Sequence, residues 1–220
     1  MNELLQPTKI IRTKRKTLSL IINNDGDLIV RAPLNCLDSV IFDFINQKSN
    51  WIIKKRQQAA NLKFKALKFL DNEEIVLLGN KYFIELVDKK TVKTVGNIIF
   101  IPNINSKHYF VLYLKRELKK IITQKIKLIN LHYNFNYKSI SISSAKTNWG
   151  SCSADNRLHF TYKLMLCPER VLDYIIIHEL VHTTVKNHSK TFWRNVKKIY
   201  PYYKECENWL KENRGIINII

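Results

Sequence analysis

The sequence predicts an α+β fold, in which strands and helices follow one another without βαβ alternation. Three observations carry that expectation. Short apolar runs punctuated by glycine crowd the first half of the chain. A long amphipathic helical stretch over residues 107–132 opens the second half. Further on, Val171-Leu172-Asp173-Tyr174-Ile175-Ile176-Ile177 is apolar nearly all round, which marks a helix buried in a core. Two lobes of one domain are expected, a β-rich mixed lobe over 12–104 and a helical lobe over 105–214. At 220 residues and 45% hydrophobic, the chain can bury a substantial core.

Residues 17–22 and 27–31 are apolar runs flanking Asn23-Asn24-Asp25-Gly26, the composition of a β-hairpin turn. Pro33-Leu34-Asn35 leads into helical material over 38–61, with Asn35 or Asp38 as N-cap and the Ser49-Asn50 pair as an interruption. Residues 75–78, 81–87 and 98–101 read as short strands, set off by Gly79 and Gly96. After the long helix, 138–143 and 157–162 read as strands separated by the loop Asn148-Trp149-Gly150-Ser151-Cys152. Pro168 suits the start of the apolar helix, where its missing N–H costs nothing. Two further helices, over 189–200 and 202–213, close the chain. There is no repeat and no low-complexity linker.

The formal net charge is +19, and 28 of the 37 basic residues are Lys. This fits either a phosphate-rich partner, with weak nucleic-acid binding that lacks sequence preference, or compositional drift. Abundant Ile and Asn beside the Lys favour drift. Cys36, Cys152, Cys167 and Cys206 are scattered without a CxxC pair, which argues against a disulfide framework or a zinc ribbon and for a reducing, cytoplasmic setting. No apolar run approaches the ~20 residues that span a bilayer, and residues 1–17 are polar and basic without the apolar region of a signal peptide.

Residues 178–188 read His-Glu-Leu-Val-His-Thr-Thr-Val-Lys-Asn-His. His178 and His182 are four apart, so on a helix both imidazoles leave one face a turn apart. That is the separation at which two ring nitrogens can share one tetrahedral zinc. Glu179 is offset by about 100°, close enough to hold a metal-bound water without ligating the metal. His188 supplies a third nitrogen and leaves one position open, the catalytic rather than the structural arrangement. With six His and ten Glu in the chain, His-Glu-x-x-His arises by chance in roughly one such chain in a hundred. Leaving these groups without partners at the end of a buried helix would cost several kcal/mol. One zinc ion per chain resolves that conflict.

A zinc held by three neutral imidazoles stays dicationic and lowers the pKa of its bound water. Glu179 can take the water's proton as hydroxide attacks and deliver it to a leaving amine, while the metal polarises the scissile carbonyl. These residue types suit amide hydrolysis, although spacing alone leaves the bond type open. Metzincins carry a glycine midway between the second and third ligands, where Val185 stands here. The only methionines are Met1 and Met165, so no Met-containing turn follows the motif and the chain is not a metzincin. Asn187, tolerant of a left-handed conformation, is the expected helix terminator.

Together with HELVH, residues 146–153 (K-x-x-W-G-S-C-S), Arg157-Leu158, Asp173-Tyr174 and NHSKTFW from Asn187 to Trp193 resemble the YgjP-like metallopeptidase-domain family, related to SprT-like and other zincin-fold proteins. Residues 15–31, Trp51-Ile52 and the Leu78-Gly79 turn match as well, so the resemblance covers residues 12–213. It implies a zincin-like fold whose helical C-terminal lobe is the metal-binding, catalytic one. It further implies a zinc-dependent hydrolase with His178, His182 and His188 as ligands and Glu179 as catalytic acid/base; membership leaves the substrate open, and a peptide or protein is the one expected. One departure is Asn148, where the family usually has a basic residue before the tryptophan; a substrate contact made there is weaker or differently placed.

The Trp149–Cys152 loop keeps two readings. In zincin folds it precedes a strand that runs beside the active site and can pair with an extended peptide; otherwise Trp149 is a core anchor and Gly150 a turn residue. Cys152 as a nucleophile would need a partnering His and a depressed pKa. His159 could stabilise an oxyanion, although a lone strand histidine is usually structural, and His108 and His132 carry no signal. Phe192, Trp193 and Trp209 are expected to pack the closing helices on the core. Asp173 either supports a ligand histidine or lies on the far face of the helix.

A cytoplasmic zinc metallopeptidase is the leading reading. A metal-dependent nucleotide phosphohydrolase, of the nucleoside triphosphate pyrophosphatase type, would also use Lys and a metal. Against it, the chain has no glycine-rich phosphate loop and no carboxylate cluster for magnesium. A third reading is a basic, nucleic-acid-associated protease.

Overall fold

The computed structural model describes residues 5–23, 26–60, 66–145 and 147–220. The chain separates into two compact units, Met1–Lys65 and Ala66–Ile220. Among the described residues it is mixed α/β, with three small sheets and six α-helices.

In the first unit β1 (Lys9–Thr13), β2 (Ser19–Ile22) and β3 (Leu28–Pro33) form a sheet in the order β1-β3-β2. β2 and β3 pair antiparallel, with Ile22 opposite Leu28, as a hairpin requires. The Asn24-Asp25 tip lies outside the described residues, but the turn is closed by the Asp27 N–H donating to Asn23 Oδ1 at 2.7 Å. β1, in a basic stretch that shows no strand pattern, pairs parallel with β3. Strand side chains alternate, so Leu28, Val30 and Ala32 share one face. That face is fully buried with Ile41 and Ile45 of α1 (Asp38–Gln47) and Ile52 of α2 (Ser49–Ala60).

Two expectations for this helix pair need correction. Leu37, not Asn35 or Asp38, occupies the N-cap of α1 and makes no side-chain cap bond. Asp38 instead stands in the first turn, where the helix dipole favours an acid and Arg12 pairs with it. The interruption falls at Lys48, just ahead of Ser49; its N–H reaches back to the carbonyls of Phe44 and Ile45 and tightens the end of α1. Asn61, the expected end of the helical stretch, lies outside the described residues.

The second unit opens with β4 (Glu74–Leu77), β5 (Asn80–Val87), β6 (Lys93–Val95) and β7 (Ile98–Pro102), in the order β4-β5-β7-β6. Leu78 and Gly79 both take positive φ, which gives the two-residue turn that joins β4 to β5. β6 has three residues, too few to show a period in the sequence. α3 (Ser106–Tyr133) lays Phe110, Leu114, Leu118, Ile122 and Ile126 along one stripe at intervals of four, all 0% exposed.

β8 (Ser139–Ser143), β9 (Gly150–Cys152) and β10 (Arg157–Thr161) form the third sheet in the order β8-β10-β9. β9 runs antiparallel to β10 at an edge, so part of the expected 148–152 loop is strand. A 3-10 turn, Tyr162–Leu166, leads to α4 (Glu169–Val181), with Pro168 at its N-cap. α5 (Lys190–Ile199), α6 (Tyr203–Glu212) and a 3-10 turn, Arg214–Asn218, follow. α4 buries Val171, Leu172, Ile176 and Leu180 completely and packs on β9, α5 and α6. Among the described residues no helix is long and apolar enough to cross a membrane.

Leu118→Ala empties a fully buried site and is expected to destabilise the protein by about 2–5 kcal/mol. Leu131→Ala, on the same helix but 74% exposed, should stay within about 0.5 kcal/mol. Denaturant titration of both variants measures the contrast.

Candidate metal centre

α4 ends at Val181, and the chain turns at His182. The N–H groups of Thr183 and Thr184 take i→i−3 bonds to the carbonyls of Leu180 and Val181, and the two hydroxyls donate to the same carbonyls. Side-chain bonds of this kind compete with a continuing helix. The expectation that Asn187 ends the helix is therefore corrected: the threonines end it, and Asn187 is not left-handed.

The turn brings His188 back over α4. Its Nε2 lies 3.0 Å from His178 Nε2 and 3.1 Å from His182 Nε2. Each of the three imidazoles offers one ligand atom within 4.8 Å of the others, so together they could hold a metal ion. Two of the rings are oriented through their other nitrogen. His182 Nδ1–H donates to the Val185 carbonyl at 3.0 Å, and His178 Nδ1 faces the Tyr174 hydroxyl at 3.3 Å. With Nδ1 protonated, both rings turn a bare Nε2 toward His188, whose single Nε2 proton can serve both contacts. Nitrogens around a tetrahedral zinc stand about 3.3 Å apart, close to the separations found here.

Phe192, 0% exposed, packs against all three imidazoles at centroid distances of 4.4, 4.8 and 4.9 Å. Trp193 stacks on His188, and Tyr203 stacks on Trp193. Both α5 aromatics therefore seat the histidines as well as packing the helices. Ser189 caps α5 by accepting from the Phe192 N–H, which fixes the residue next to His188.

Burial, reinforced by the other two imidazoles, holds His178 down at about 3, so it is neutral with a free lone pair across the ordinary pH range. Burial also lowers His182. Glu179 is 5% exposed, and burial pushes its carboxyl up to about 8. Its Oε2 is buried and has no hydrogen-bond partner. Such an orphan calls for an explanation, and a cation beside it would both stabilise the charge and reverse the upward shift. The donor set and the orphaned oxygen fit a metal.

Gly150 has a role that its sequence reading as a turn residue missed. A Cβ there would stand 2.7 Å from Glu179 Oε1 and 2.8 Å from Glu179 Cγ. The absent side chain is what lets β9 close on α4 with the glutamate between them. A glycine within a strand often marks the close approach of another group, but this stretch reads as loop in the sequence, so that signal was hidden.

His178 and Glu179 line a cleft of about 670 Å³. Its other lining residues come from 147–150, from Tyr174 and Ile175, and from α6 and the turn after it: Glu207, Leu210, Lys211, Arg214 and Ile217. Tyr174, which the sequence offered only as part of the family resemblance, adjoins His178, and Glu207, which carried no signal, lines the same cleft. Burial, with the nearby Glu207 charge adding to it, raises Tyr174 well above the usual phenol range.

The family model for the YgjP-like metallopeptidase domain matches residues 16–213 of the 220. The chain belongs to the YgjP-like family. Searches of curated proteins and of solved structures returned no match. Membership supports a metal-dependent hydrolase, for which this YgjP-like domain has the imidazole triad, and a peptide or protein substrate; it gives no support to nucleotide or nucleic-acid binding.

Other residues weighed from the sequence lie apart from the triad of this YgjP-like protein. Asp173 pairs with Lys125 at 2.7 Å and supports no imidazole. Burial raises the Cys152 thiol, the opposite of what a nucleophile needs, although Lys186 Nζ stands 3.6 Å away. His159 meets the Ser141 hydroxyl across β8 and β10 at 2.6 Å. His108 and His132 are exposed on α3, Asn148 is exposed at the cleft, and Lys146 lies outside the described residues.

Gly150→Ala is expected to cost about 1–3 kcal/mol by overpacking, because buried Glu179 has little room to move. Combined with Glu179→Ala, most of that cost should vanish, giving a coupling above about 0.5 kcal/mol in a denaturation double-mutant cycle. Simple additivity would show that Glu179 is not what fills the space.

Proposed function

We propose that this protein is a zinc-dependent hydrolase of the metallopeptidase type, with one zinc ion held by His178, His182 and His188 and Glu179 as general acid/base. The observation that carries the reading is the convergence of three Nε2 atoms, together with a buried, unpartnered carboxylate oxygen on the residue next to His178, these two residues lining one cleft. Imidazole donors without thiolate or a carboxylate cluster suit zinc rather than calcium or magnesium. When bound, zinc supplies Lewis acidity toward a carbonyl and toward water.

The chain's own residues supply the rest. Glu179 Oε2 has no protein hydrogen bond to break, so it is free to accept a proton from the attacking water and return it to the nitrogen of the leaving amine. Packing against Gly150 holds the carboxylate in place between the two transfers. The Val185 carbonyl keeps the proton of His182 on Nδ1 and its Nε2 lone pair directed inward. Phe192 shields the rings from water on the side where it packs. A peptide or protein substrate follows from the family's metallopeptidase domain.

Elemental analysis of purified protein should find close to one zinc per chain, with most of it lost in each of His178→Ala, His182→Ala and His188→Ala. Unchanged zinc after His188→Ala would remove that residue from the ligand set. Glu179→Gln, nearly isosteric, should retain fold and zinc while casein hydrolysis falls at least ~10²-fold. A variant that keeps most of its activity would sink the assigned role of Glu179.

A further inference from the structure

We infer that the second unit carries an anion site apart from the metal centre, a cleft at the start of α3 that takes the phosphoryl group of a small organic phosphate. The cleft measures about 840 Å³ and shares no lining residue with the one beside the histidines. One wall is a face of α3, where His108, Val111, Leu112 and Lys115 recur at helical spacing. The buried stripe of Phe110, Leu114 and Leu118 occupies another face of that helix.

An α-helix leaves its first N–H groups without internal acceptors, and an Asn at the N-cap normally supplies one. Here Asn105 is left-handed, with φ 55°, and makes no side-chain cap bond. Its carbonyl takes the N–H groups of His108 and Tyr109, at 2.9 and 3.2 Å. The Ser106 hydroxyl donates to the Pro102 carbonyl at 2.6 Å. The N–H groups of Ser106 and Lys107 are left without a partner among the described residues. Such a helix start favours an anion.

Tyr162 points to the same ligand independently. It is 4% exposed, yet its hydroxyl makes no hydrogen bond among the described residues, where buried polar groups are usually paired. Tyr162 lines the cleft, and its unpartnered oxygen is not sealed from solvent, so the phenol O–H opens on the space at the start of α3. Three lining residues are Lys and none is acidic. Lys68, Lys107 and Lys115 make no ion pair among the described residues, whereas Lys120 and Lys125 of α3 do. Glu73, near Lys68 in the chain, spends its carboxylate on the N–H groups of Lys68 and Leu70.

Two amides, a phenol and three ammonium groups suit a phosphoryl group, which carries nearly two charges and three acceptor oxygens. A carboxylate has half that charge and one oxygen fewer. The cleft falls in the range that holds an organic ligand rather than a bare ion. Phe69, seated edge-on against Phe110, joins Val111 and Leu112 to give that ligand's carbon part an apolar wall.

Titrating ¹⁵N-labelled full-length protein with phenyl phosphate, inorganic phosphate and acetate at constant ionic strength tests this. The Ser106 and Lys107 amide signals should move, at lower concentrations of phenyl phosphate than of inorganic phosphate, and stay in place with acetate. Tyr162→Phe, which keeps the ring, should weaken phenyl phosphate binding about 3–10-fold, and Lys115→Met about tenfold. Lys90→Met removes the same charge from an exposed position outside the cleft and should stay within about twofold. Unmoved Ser106 and Lys107 signals, unaltered affinity in both cleft variants, or a loss in Lys90→Met equal to that in Lys115→Met would each overturn the site. A short DNA duplex that moves the two amides at lower concentration than phenyl phosphate would overturn the small ligand in favour of nucleic acid. Removing metal by dialysis against a chelator should leave the titration unchanged, so the site and the zinc reading stand or fall separately; a titration lost with the metal would place the anion there instead.

Discussion

The Nε2 of His188, held 3.0 Å from that of His178 and 3.1 Å from that of His182 at the end of an apolar helix, imposes the constraint to which the rest of the second unit answers. Two imidazolium charges at that separation would repel strongly in a poorly solvated site, so the rings must be neutral or share a cation. Burial enforces the first condition, as the depressed His178 shows. His178 and His182, whose pKa values burial lowers, then turn their Nε2 atoms toward His188, a donor set a dication could use. The same desolvation acts in the opposite sense on Glu179, whose carboxyl it pushes up. One environment therefore prepares both the donors and the acid.

The surrounding elements are arranged to make that environment. α4 is buried along nearly its whole length, which takes His178, Glu179 and His182 with it out of bulk water. β9 approaches closely because Gly150 has no side chain, and Glu179 occupies the room so released. α5 contributes Phe192 against all three rings and Trp193 behind His188. α6 lines the cleft with Glu207, Leu210 and Lys211. The first unit closes its own core from the alternating face of β3 and the inward residues of α1 and α2.

Much of the fold was legible in short-range pattern. The Asn23–Asp27 turn, the Leu78-Gly79 hairpin and the stripe of five buried residues on α3 are all set by residues within a few positions of one another. The elements that escaped were those with too little local signal. β6 is three residues long, and β9 is Gly-Ser-Cys, a composition that reads as loop until β10 offers its edge. The end of α4 was misjudged because Asn187 offered a familiar terminator, while Thr183 and Thr184 acted earlier through their hydroxyls.

By itself the sequence determined which side chains belong together at the site: the four-residue spacing in HELVH puts two imidazoles on one helical face, and helix geometry admits no other arrangement. It also determined that Glu179 sits beside them, and its motifs were enough to show the family resemblance. Only the tertiary structure decided that His188 folds back onto that face, that Gly150 makes room for the glutamate, that Asp173 faces Lys125, and that Glu207 of α6 lines a cleft with His178 and Glu179. Each of these depends on a contact between segments separated by loops or by whole elements. Local periodicity carries no information about such contacts; they are settled by which packing of α4, α5, α6 and β9 buries the apolar surface without stranding a polar group.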